Sequence, residues 1–126
     1  EGLHWSTPEP WTYDDDTPFF SPSSMSLLLK HSSGRVFWIG NISPSNCQGN
    51  HPRYPLVIGE VEPNTLDLIK GTVLEIDTKR PDESGLNLSH FWGFEDRETS
   101  EIVVVGARYS ADYNSNTPMV WRIAVQ

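Results

Sequence analysis

Cysteine is nearly absent from this chain. Cys47 is the only one, which excludes an internal disulfide, and it sits in a Ser/Pro/Asn/Gly loop with no Cys or His at metal-ligand spacing. Long apolar runs are missing too: stretches such as Ile102 to Ala107 fall far short of the ~20 residues that a membrane-spanning helix requires. The opening Glu1-Gly2-Leu3-His4-Trp5 carries neither a basic start nor an apolar stretch, so no secretory leader is read there. Positive charge is scarce. Nine Lys and Arg stand against 17 Asp and Glu, for a net charge of −8, a field that repels phosphate backbones and anionic membrane surfaces. Nucleic acid and membrane are set aside as partners on that ground.

What is present belongs to the soluble globular class, with 37% hydrophobic and 21% charged residues. A compact domain of 126 residues buries roughly two-thirds of its unfolded surface, enough for a real core. No segment sustains a helical period with caps, whereas short β-branched and aromatic runs recur between Gly, Pro, Asn, Asp and Ser. The fold class is all-β. Residues 24–30 and 35–40 read as strands joined by the hairpin connection His31-Ser-Ser-Gly34, and 54–61 and 72–77 follow. A second set covers 88–94, 101–108 and 119–125. Four strands in succession and then three suit a β-propeller fragment of about two blades whose last blade lacks its closing strand. A self-contained sandwich of about seven strands has similar spacing and stays open as the alternative.

The opening Gly2-Leu-His-Trp5-Ser-Thr-Pro8 resembles the second half of the Asp-box, Ser-x-Asp-x-Gly-x-x-Trp, of the sialidase and BNR-repeat superfamily. In that motif the glycine makes the turn and the Trp packs the hairpin on its own blade; the Ser and Asp would precede residue 1. Glu62 to Asp67 occupies the corresponding turn of the next blade in degenerate form. Gly34-Arg-Val-Phe-Trp-Ile-Gly-Asn41, Arg53-Tyr-Pro-Leu-Val-Ile-Gly-Glu60, Asn87-Leu-Ser-His-Phe-Trp-Gly93 and Glu95-Asp-Arg-Glu-Thr99 look like bacterial BNR-repeat sialidase-like proteins over nearly the whole chain. The resemblance implies a longer parent of about six blades. Residues 1–22 would end a preceding blade, 23–78 form one complete blade, and 79–126 form a second without its closing strand. It also implies further blades, or an oligomer, covering the exposed strand edges.

Antiparallel meanders place alternate loops at opposite ends, so Ser23, Ser24 and the loops 41–54, 78–89 and 109–118 share one end. Those are the expected ligand loops. The resemblance implies a carboxylate clamp of three arginines, a tyrosine nucleophile activated by a glutamate, and an aspartate acid and base. Arginine suits the clamp because its planar fork bonds both carboxylate oxygens and stays charged. Arg53, entering strand 54–61 from the long loop, matches a clamp position, and Arg108 leaves the equivalent strand of the next blade. Tyr109 is the nucleophile candidate, although neither Glu60 nor Glu83 is placed beside it by sequence reasoning. Asn50, His51, His90 and Trp92 lie on or near the same loops and are sugar-contact candidates. Trp92 otherwise packs between blades, and His90 alternates with Phe91 along its strand.

Asp14-Asp15-Asp16 lacks the spacing of a calcium loop and reads as a solvated acidic turn, so no metal and no cofactor are expected. Asn41-Ile-Ser43 and Asn87-Leu-Ser89 match the N-glycosylation acceptor but do not decide the compartment. Two functions remain in view. One is a partial exo-sialidase-type glycoside hydrolase with a sialylated or other acidic glycan as partner, inactive as this chain alone. The other is a non-catalytic propeller piece that binds carbohydrate or protein.

Overall fold

The computed structural model of the chain describes residue 2 and residues 4–126. Two antiparallel sheets make the fold, and no α-helix occurs among the described residues. The first sheet is a meander of β1 (Leu27–Lys30), β2 (Val36–Asn41), β3 (Leu56–Val61) and β4 (Leu74–Asp77), in that order. The second contains β5 (Leu86–Asn87), β6 (Trp92–Glu95), β7 (Glu101–Ser110) and β8 (Asn116–Ala124). Both β5 and β6 pair with one edge of β7, Asn87 opposite Tyr109 and Glu95 opposite Ile102, while β8 takes the other edge. They are one strand interrupted at residues 88–91. The expected strand at 88–94 is therefore split, and its Leu88 to Phe91 portion is the break.

The sheets face each other through residues of matching parity. Leu29, Phe37, Ile39, Leu56 and Ile58 of the first meet Leu86, Leu88, Phe91, Ile102 and Val104 of the second. Ile39, Leu56, Ile102 and Val104 are fully buried, each contributing about 1.5–3 kcal/mol relative to exposure. A Cβ at Gly93 would come within 3.0 Å of Leu27 and 3.3 Å of Ile39, so this glycine sets how closely the sheets approach. The β1–β2 connection turns through Gly34 at φ +90°, and His31 N–H bonds the Arg35 carbonyl at 2.9 Å.

A second apolar layer covers the far face of the first sheet. Trp11, Tyr13 and Phe19 pack on Trp38, Val57, Val61 and Leu68, with Trp11 edge-on to Trp38 at 5.5 Å and its indole N–H donating to the Leu66 carbonyl at 2.6 Å. Residues 11–20 are thus a cover on this sheet. Trp5, expected to anchor a hairpin to its blade, is 88% exposed; Glu1 and Leu3 lie outside the described residues. The acidic turn is held inward: the Lys70 ammonium meets Asp15 at 2.6 Å, and Asp14 accepts the Lys70 N–H at 2.9 Å. No carboxylate, His or Cys group suited to a metal occurs among the described residues. Asn41 and Asn87 are both buried, which closes both glycosylation acceptors in the folded chain.

The two ends differ in content. At one, Ser24 donates to Asn41, Ser23 N–H bonds the Gly49 carbonyl, and the loops before β3, before β5 and after β7 converge. The other end collects the His31–Gly34 turn, the Glu95–Ser100 turn and the C-terminus, tied by His31 Nε2 to the Ser100 carbonyl at 3.0 Å.

Candidate functional site

Residues 108 and 109 are neighbours on β7, and strand alternation sends them to opposite faces. Arg108 turns toward the first sheet. Its guanidinium, 7% exposed, bonds Asp77 of β4, the Thr78 carbonyl at 3.3 Å and Glu83 at 2.5 Å. The same Asp77 accepts the Trp121 indole N–H at 3.2 Å. Arg108 beside Glu83 holds that carboxyl below the usual carboxylate range, chiefly through the hydrogen bond. A groove of about 290 Å³ lined by Arg80, Glu83, Ser84, Leu86, Thr117 and Met119 opens beside it.

Tyr109 turns to the outward face and is 5% exposed. Its hydroxyl lies 2.6 Å from Ser89 Oγ, 2.9 Å from His90 Nδ1 and 3.1 Å from Arg53 Nη1. Arg53 Nη1 also donates to Ser89 at 3.1 Å, and Nε to the Asn50 carbonyl at 3.0 Å. The backbone explains the meeting. Residue 53 bridges Asn87 in parallel, with the Leu88 N–H bonding the Arg53 carbonyl at 2.8 Å, which lays the long loop along the inner edge of β5. Asn41 Nδ2 bonds the Pro55 carbonyl at 3.2 Å and the Leu88 carbonyl at 3.1 Å, bracing the interruption between β5 and β6. Within that interruption His90 adopts φ +61°, an unusual conformation for a non-glycine residue that aims its ring at the phenol. The exposed Tyr113 ring stacks on Tyr109 at 5.5 Å and 13°.

Three of the residues singled out from sequence therefore come together: Arg53, His90 and Tyr109. Asn50 joins through its carbonyl. His51 is exposed on the loop, and its side chain makes no hydrogen bond in this cluster among the described residues. Arg108 is brought to the same end but on the other face, committed to two carboxylates. Trp92 is 58% exposed and faces outward with Val105 and Val120, not packed in the core as its size suggests. Glu60 is taken by Arg35 at 2.6 Å and Glu83 by Arg108, so neither lies at the phenol. Ser89 and Tyr113 went unnoticed in the sequence. Only the Asn-Leu-Ser-His run hinted at a break there, because its polar residues interrupt the β pattern.

Electrostatics separate Arg53 from the other anchored cations. Arg35, Lys70, Arg108 and Arg122 each meet a carboxylate, whereas Arg53 has none within 4.0 Å among the described residues and is held by neutral oxygens. Its Nη2 has no hydrogen-bond partner among them. A guanidinium fixed in place with its charge unanswered is suited to receive an anion. Comparisons with protein-family models, with curated proteins and with solved structures found no match for this chain.

Proposed function

We propose that this chain is the acidic-sugar-binding portion of a sialidase-like glycoside hydrolase, built as about two blades of a longer β-propeller. The observation that carries the reading is Arg53, a preorganised cation without a carboxylate partner among the described residues, set against Tyr109 in a chain of net charge −8. A sugar carboxylate would take the free Nη2 side of the fork, and the Tyr109 hydroxyl would lie beside the bound ring. The sheet pattern supports the propeller: residues 23–78 hold a four-stranded meander, and 79–126 hold three ranks with a free edge on β8. Both outward faces keep exposed apolar side chains, Leu28 and Leu66 on one and Trp92, Phe94 and Val120 on the other. Further blades or an oligomer would cover them.

The test is titration of the chain with N-acetylneuraminic acid, its methyl ester and a neutral hexose, followed by NMR. The acid binds, the ester and hexose do not, and Arg53→Ala abolishes binding. Equal binding of all three, or none, overturns the reading. A second reading, a glycan-binding module without hydrolysis, is favoured by the commitment of Glu60 and Glu83 to other arginines. Release of the aglycone from an aryl sialoside by the longer protein separates the two.

A further inference from the structure

We infer that the outer edge of β8 is a self-association surface, on which a second copy of this chain lays its own β8 antiparallel across a two-fold axis through Val120. The inference uses none of the residues of the acidic-glycan reading and stands apart from it. It begins with a comparison of free edges. β1 is four residues long and ends in Lys30; β4 is four residues long, carries Glu75 and Asp77, and meets β3 through a register shift. Short length, charge, irregularity and proline are the devices that keep a sheet edge from pairing with another chain. Of these β8 keeps only Pro118. It runs nine residues from Asn116 to Ala124, its ladder with β7 holds one register throughout, and its single charge, Arg122, is answered by Asp96 and Glu101. Among the described residues nothing pairs with its outer side.

Pro118 shows which backbone groups face out. A proline inside a strand is tolerated where its nitrogen points away from the ladder, and alternation then sends the N–H groups of Val120, Arg122 and Ala124 the same way. A second β8 centred on Val120 meets them all. The two Val120 residues exchange both backbone bonds, each Ala124 does so with the other copy's Asn116, and each Arg122 N–H donates to the other copy's Pro118 carbonyl. The side chains agree with the same centre. On the outward face Val120, 62% exposed, meets its own counterpart and extends the row of Trp92, Val105 and Val120 into the second copy. On the inward face Met119 meets the second copy's Trp121, a sulfur–aromatic pair. That pair lies at the mouth of a slot of about 540 Å³, lined by Ile58, Leu74, Ile76, Trp121 and Ile123 between β4 and β8. Arg122 decides the register. Centring on Val120 separates the two Arg122 residues by four strand positions, ~14 Å, beyond the screening length of ~8 Å at physiological salt, whereas centring on Arg122 would set them face to face. Each copy carries −8, but no carboxylate lies on β8 itself, so the repulsion between copies is long-range and salt screens it.

The experiment is sedimentation velocity of the chain at physiological salt over a series of concentrations. The mass rises with concentration from 14.3 kDa to twice that value. Val120→Lys sets like charges opposite each other at the axis and leaves the β7 ladder alone, so it stays monomeric with an unchanged unfolding midpoint. In a Cys47→Ser background, Val120→Cys crosslinks on mild oxidation, because Cα atoms paired at ~5.5 Å lie within disulfide range. Arg122→Cys, ~14 Å from its counterpart, does not crosslink. A native chain that stays monomeric at every concentration would leave the edge to a strand from elsewhere and overturn the inference. So would a dimer that survives Val120→Lys, a Val120→Cys chain that does not link, or linkage at residue 122 in place of 120. Should Val120→Lys fail to fold, the two cysteine variants decide alone.

Discussion

Arg53 and Arg108 reach the same end of β7 from opposite faces, and their fates differ because of what surrounds them. Arg108 lies between Asp77 and Glu83, so its charge is answered and its energy is spent on joining β4 and the following loop to the second sheet. Arg53 is held in place too, but among the described residues only by neutral oxygens, from Asn50, Ser89 and Tyr109. The difference teaches that fixation and neutralisation are separable. An arginine with both is part of the scaffold, and one with fixation alone keeps its capacity for an outside anion.

The strongest way to break the comparison is Arg108→Ala. Two carboxylates would be left facing each other in a half-closed site, a loss of about 3 kcal/mol that a urea unfolding midpoint would register. An unchanged midpoint would demote Arg108 to a bystander. Arg53→Ala has a smaller effect on stability, about 1 kcal/mol, since Ser89, Tyr109 and His90 still bond one another, while acidic-sugar binding disappears. A large stability loss there would merge the two arginines into one structural class.

Acid sharpens the contrast more gently. Glu83 is held below its ordinary range by Arg108, so its contribution is full above the unfolded value of about 4.3 and fades as pH falls through the depressed folded value. Unfolding midpoints should therefore decline below about pH 4.3, and the slope should flatten in Arg108→Ala while Arg53→Ala keeps it. The smallest effect is expected at Lys70→Ala. Its partner Asp15 is held at about 2, chiefly by the Lys70 hydrogen bond, but both side chains are about half exposed, and water screens the pair. Its unfolding midpoint at pH 7 should match that of the native chain; a clear drop would mean that the Asp14–Asp16 turn supports the Trp11 cover.

The strand runs were legible because period-2 alternation and turn residues are local signals. The hairpin at His31–Gly34 and the convergence of the long loops follow from the same signals combined with antiparallel topology. That Arg53 lies among the converging loops was legible from its place at a strand entrance. Arg108 was harder. Its neighbour Tyr109 turns to the opposite face of the strand, but which of the two faces inward depends on the partner sheet. Trp92 misleads for a related reason. The interruption at residues 88–91 resets which residues face the core, placing Phe91 inside and Trp92 outside, and a parity count carried across the break does not survive it.

Composition and alternation alone determined that this is an all-β chain of acidic character with its long loops gathered at one end, because those properties depend on each residue and its immediate neighbours. The tertiary structure decided the rest. Pairing of residue 53 with Asn87, and of Asp77 with Arg108, joins segments more than 30 residues apart. Their contact depends on sheet register and on the approach that Gly93 permits, quantities that no local stretch of sequence carries. That is why the sequence shows two arginines alike and the fold makes one a strut and leaves the other's charge open.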